Sequence, residues 1–98
     1  MPLSPSQKRY LRGLAHNLKP VILTGNKGIT PAVVKEFSTA LDQHELVKVK
    51  IGSEDRVERR AQIAELGQSA NAELVQSIGR VACFYRHNED KPKLALPR

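Results

Sequence analysis

Between His44 and Gly52 the chain reads HELVKVKIG, and within it Val47, Val49 and Ile51 alternate with Lys48 and Lys50. A period of two is the signature of an extended strand whose successive side chains point to opposite faces. One face is apolar and must be buried; the other carries two lysines and stays wet. The segments around this strand supply the cover. Ser6–Leu18 has helical spacing, with Tyr10 and Leu14 on one line and Leu11, Ala15 and Leu18 beside it. Lys19-Pro20 stops that helix, because proline disfavours a helical residue before it. Val21–Leu23 then reads as a short buried strand.

The next helix has clear start signals: Thr30 can cap exposed amides, and Pro31 suits the first helical position. Its apolar stripe is Val33, Val34, Phe37, Ala40 and Leu41. A third helix is predicted after Ser53 towards Leu66, with Val57, Ala61, Ile63 and Ala64 as its apolar side and Gly67 as its C-terminal cap. Glu73–Ile78 and Val81–Tyr85 read as strands of a hairpin turning through Gly79-Arg80. The resulting order is α-β-α-β-α-β-β. Strands joined through helical crossovers are expected to run parallel and the closing hairpin antiparallel, which makes an α/β fold with a small mixed four-stranded sheet. The 98 residues are read as one domain. Residues 87–98 form a polar tail, expected to be mobile or to dock through Leu94 and Leu96.

Charge supplies the first functional clue. The chain has 16 Lys and Arg against 10 Asp and Glu, a net charge of +6. The excess is uneven: Lys8, Arg9, Arg12, Lys19 and Lys27 fall between Met1 and Gly28, where no acidic residue occurs. Such a field favours a polyanion. No apolar run approaches the ~20 residues of a membrane span, and the first residues lack the apolar stretch of a secretory signal. A single cysteine, Cys83, excludes an intrachain disulfide and fits a reducing, cytoplasmic setting.

The loop Gly25-Asn26-Lys27-Gly28 lies between the first short strand and the capped helix. Such loops expose backbone N–H groups near a helix terminus of partial positive charge. Glycine permits close approach of a ligand, Lys27 adds a charged donor, and Asn26 adds an amide. The loop is too short for a GxxxxGK[ST] nucleotide motif, and GxGxxG is absent. Taken alone, the same residues are better explained by an ordinary turn.

The long stretch "LRGLAHNLKPVILTGNKGITPAVVKEFSTALDQHELVKVKI", with the later "AELVQSIGRVACFYR", closely resembles the CRM domain of chloroplast RNA splicing and ribosome maturation proteins. The likeness is strongest to the stand-alone bacterial YhbY-like form and runs from Ser6 to Arg86. It implies a fold related to the C-terminal domain of translation initiation factor three. It also implies RNA binding in association with precursors of the large ribosomal subunit, which makes 23S rRNA the expected partner; contacts to ribosomal protein are left open. The family's RNA-contacting GxxG loop lands on Gly25, Asn26, Lys27 and Gly28, and its basic flank on Arg12, Lys19, Lys48 and Lys50. Arg9 joins Arg12 on one helical face by i,i+3 spacing.

Other candidates are weaker. Arg56, Arg59 and Arg60 sit among Glu54, Asp55 and Glu58, where pairing such as Asp55 with Arg59 is expected to absorb their charge. Arg80 and Arg86 flank the last strand and either extend the basic field or serve as ordinary hairpin-end residues. Phe37 is assigned to the core, and Tyr10 and Tyr85 to partial burial, so aromatic stacking on RNA is not expected to dominate. His16, His44 and His87 make no close metal-ligand pair and Cys83 completes no zinc cluster. No catalytic constellation and no cofactor motif is present. The competing readings are a basic protein of DNA or the nucleoid, and a structural module contacting ribosomal protein.

Overall fold

The structure, a computed structural model, describes residues 2–97, so Met1 and Arg98 lie outside the described residues. Its elements follow the expected order: α1 Pro5–Ala15, β1 Ile22–Leu23, α2 Pro31–His44, β2 Leu46–Lys50, α3 Arg56–Ser69, β3 Glu73–Ile78 and β4 Val81–Tyr85. The sheet order is β1-β2-β4-β3. β1 and β2 are parallel, while β4 runs antiparallel to both of its neighbours. β1, β2 and β3 therefore share one direction, as their helical crossovers predict. The β3–β4 hairpin turns through Gly79, whose φ of +59° suits glycine at the first central position of a two-residue turn.

Two apolar clusters lie on opposite faces of this sheet. On one face α2 and α3 bury Phe37, Leu41, Ile63 and Leu66 against Ile22, Val47, Val49, Ile51 and Phe84. Phe37 and Phe84 meet edge to face at 5.0 Å and 73°. On the other face α1 places Leu11 and Ala15 on Leu46, Val75, Cys83 and Tyr85, with Leu94 and Leu96 of the C-terminal segment packed beside them. A bulge between Leu74 and Gln76 sends Val75 into this second cluster.

Several local expectations are corrected. α1 starts earlier and ends earlier than its periodicity predicts. Ser4 and Gln7 form a reciprocal capping box with Pro5 at the first turn, and His16 caps the other end. The buried line of α1 is Leu11 and Ala15, leaving Tyr10 40% exposed. On β1 only Ile22 is buried; Leu23 is 68% exposed. α3 passes through Gly67 to Ser69, so Gly67 is no cap. It is the site of closest packing: a methyl there would stand 3.1 Å from the Ala72 carbonyl and 3.3 Å from the Phe84 ring. The inward stripe of α3 is Ile63, Leu66, Gly67 and Ala70, whereas Val57, Ala61 and Ala64 face solvent.

Candidate nucleic-acid interface

The GNKG loop is a tight four-residue turn. The Gly28 N–H donates to the Gly25 carbonyl at 3.1 Å, and Asn26 and Lys27 take the two exposed central positions. Gly28 has φ +70° and is buried against α3, where a methyl group would stand 3.0 Å from Gln62 Nε2. Both facts call for glycine. Gly25 faces open space.

This geometry narrows what the loop can offer an anion. The Gly28 amide is spent inside the turn. At the start of α2, Pro31 has no N–H, the Val33 amide donates to Thr30 Oγ1 at 3.2 Å, and the Val34 amide donates to the Thr30 carbonyl. Of the amides at this helix terminus, only that of Ala32 is left without a partner among the described residues. Among the described residues, the Asn26 and Lys27 amides have no partner. A cradle spanning Gly25 to Gly28 reduces to two amides at the tip with the Lys27 side chain beside them.

The loop base is braced from β2. Thr24 is buried, its N–H donates to the Lys50 carbonyl, and its hydroxyl accepts from the Gly52 amide at 2.8 Å. Nothing local in the sequence marks a loop threonine as a brace. The same register fixes what lies next to the loop. Leu23 pairs with Lys50, Lys50 with Val81, and Val81 with Ile78. These four residues form one row across the open half of the sheet face that α1 partly covers. In the next row Lys48 stands opposite Cys83 and Cys83 opposite Gln76.

Lys48 and Lys50 therefore share a face, roughly 6–7 Å apart along the strand. Lys48 Nζ donates to the Leu18 carbonyl at 3.0 Å, and Lys19 lines the same groove between α1 and β2. Neither of these two rows contains a carboxylate. Burial pushes the Cys83 thiol up to about 11, with the Lys48 charge opposing the rise. Arg9 and Arg12 are exposed on α1, and among the described residues neither forms an ion pair. Lys8 lies 4.0 Å from Glu73.

Two other basic residues are committed to structure. Arg86 donates to the Ser38 and Ala70 carbonyls and to Asp42 Oδ1 at 2.7 Å, tying β4 to α2 and α3. Arg80 pairs with Glu54 at 2.7 Å. The expected Asp55–Arg59 pair is absent among the described residues. Asp55 instead caps α3 by accepting from the Val57 and Glu58 amides. No helix is long and apolar enough to cross a membrane, and no His/Cys/Asp/Glu group suited to a metal occurs among the described residues.

The family described as CRS1 / YhbY (CRM) domain matches residues 3–86. A Haemophilus influenzae protein named RNA-binding protein is 42% identical over 96 residues, covering 98% of this chain and 96% of the relative. A Bacillus subtilis relative, named Probable RNA-binding protein YqeI, is 30% identical and covers 97% and 99%. The solution structure of a hypothetical protein from Staphylococcus aureus superposes with a TM-score of 0.84 at 33% identity, covering 98% of this chain and all of that one.

Proposed function

The chain belongs to the CRS1 / YhbY (CRM) domain family, and on that premise we propose that it is an RNA-binding protein acting in the cytoplasm on large-subunit precursor rRNA. The relatives' names support the RNA partner. One observation carries the site: the GNKG tip presents two unpartnered amides and Lys27 beside the two rows of the sheet that hold Lys48 and Lys50 and contain no carboxylate. An RNA phosphate sits on the Asn26 and Lys27 amides with Lys27 Nζ beside it. Lys19, Lys48 and Lys50 follow the backbone away from the loop, and Arg9 and Arg12 extend the field along α1. Contacts of this kind position an RNA backbone and read little sequence. The role is to hold an RNA conformation during assembly, without a covalent step.

The test is crosslinking in cells followed by sequencing of attached RNA, with an Asn26→Ala/Lys27→Ala variant in parallel. Enrichment of large-subunit rRNA, lost in the variant, is the expected result. Scattered RNA that ignores the substitutions would overturn the site. Competition with duplex DNA at equal salt separates one alternative, since preference for DNA would reject the RNA reading. A structural module meeting mainly ribosomal protein predicts instead little RNA affinity of the purified protein and little effect of Lys27→Ala.

A further inference from the structure

The inward stripe of α3 changes chemistry halfway along the helix. Ile63, Leu66, Gly67 and Ala70 pack on the sheet, and stepping back by three or four residues along the same line reaches Arg56, Arg59 and Arg60. A helix stripe with only packing to serve would continue apolar. Here Arg56, Arg59 and Arg60 in the first turns of α3 line a cavity of about 420 Å³ that Leu74, Ser77 and Gly79 line from the β3 side.

The neighbouring acidic residues do not neutralise them. Glu54 pairs with Arg80 at 2.7 Å. Asp55 Oδ1 accepts the Val57 and Glu58 amides at 2.8 and 3.2 Å. Glu58 Oε1 accepts from Gln62 Nε2 at 3.1 Å. Each carboxylate is engaged away from the cavity. Arg59 donates to the Glu54 carbonyl at 3.0 Å, which leaves its charge uncompensated. Among the described residues, the side chains of Arg56 and Arg60 form no hydrogen bond or ion pair.

We infer that this arginine-lined cavity between α3 and β3 is a second phosphate-binding site for the same RNA that meets the GNKG loop. Planar guanidinium forks match phosphate oxygens bidentately, and the Ser77 hydroxyl adds a neutral donor at the rim. The loop and the cavity share α3. Gln62 touches Gly28 on one side of the helix, whereas Arg60, two residues earlier and ~200° around, lies on the other. An RNA strand leaving the loop crosses about one helix diameter, ~10–12 Å, to reach the arginines. This deepens the RNA-binding reading and rests on it.

The test is salt-dependent binding of the full chain to purified 23S rRNA. Wild type is compared with Arg56→Gln/Arg60→Gln, with Lys27→Ala, and with Lys91→Gln/Lys93→Gln, which removes equal charge from the exposed tail. Circular dichroism confirms that each variant is folded. The arginine variant is expected to bind roughly tenfold or more weakly, with the slope of log K against log salt shallower by about two. The tail variant is expected to bind like wild type. Unchanged binding in the arginine variant while Lys27→Ala weakens it would overturn the cavity alone. Equal losses in the arginine and tail variants would also overturn it, since general charge would then suffice. Failure of the wild type to bind 23S rRNA would remove the RNA reading and the cavity together.

Discussion

Glu45 stands where a helix usually places glycine. It follows the last residue of α2 with φ +61°, a backbone region costly for an L side chain. Its carboxylate accounts for the choice. Fully buried, it accepts from the Asn88, Lys93 and Leu94 amides at 2.6, 2.6 and 2.7 Å and lies 3.1 Å from His87 Nδ1. Burial alone pushes this carboxyl up, but the three amides and the His87 charge outweigh it and hold it below the ordinary range. Because the folded group ionises below its unfolded counterpart, its contribution is complete above about pH 4.3. That contribution is lost as pH falls through the lower folded value. Urea denaturation across acidic pH should therefore show a loss of stability that Glu45→Gln flattens. At neutral pH the same variant should be less stable by about 1–3 kcal/mol, the cost of leaving buried amides short of an acceptor. Cys83 permits a second residue-level test. A buried thiol pushed up to about 11 should react slowly with a disulfide reagent at pH 8 and quickly once the chain is unfolded.

At the level of elements, the hairpin and α2 were legible because their signals are local. Gly79-Arg80 between two apolar runs and Thr30-Pro31 before a helical stripe each specify one geometry. α3 was legible as a helix but not in its orientation. Val57, Ala61 and Ala64 have the right hydrophobicity on the wrong side, and the true stripe is arginine in its first turns and apolar only from Ile63 onward. Only packing on the sheet distinguishes the two faces. The loop residues could be picked out by glycine and position, yet the hydrogen bonds that consume the Gly28 amide and brace Thr24 depend on tertiary register. That brace predicts a sensitive neighbour. Any side chain at Gly52 would collide with the Thr24 carbonyl, so Gly52→Ala should displace the loop base and destabilise the fold by about 1–3 kcal/mol. Thermal unfolding checks the cost. Chemical-shift changes centred on Thr24 to Gly28 check the displacement.

For the whole molecule, the family match ends at residue 86 while the second core does not. Leu94 and Leu96 lie over Leu11, Tyr85 and their neighbours, Glu45 holds the intervening backbone, and Gln7 Nε2 donates to the Pro97 carbonyl. Removing residues 87–98 should expose apolar surface and strand the Glu45 carboxylate. Midpoint urea concentration should drop, with a loss of about 2–4 kcal/mol, and an apolar dye should bind the shortened chain. The sequence left this tail open between mobility and docking through Leu94 and Leu96, because its anchor, Glu45, looks like an ordinary polar residue at a helix exit.

The sheet order has a further consequence in time rather than space. β1 has two residues, sits at an edge, and hangs on a single neighbour, while the loop it carries turns back at once towards α3. Backbone opening is cheapest where pairing is sparsest. Amides from Ile22 to Lys27 should exchange with deuterated solvent well before those of β2 and β4. A ligand that grips the tip would slow exchange there first, making this edge a clock that reads occupancy.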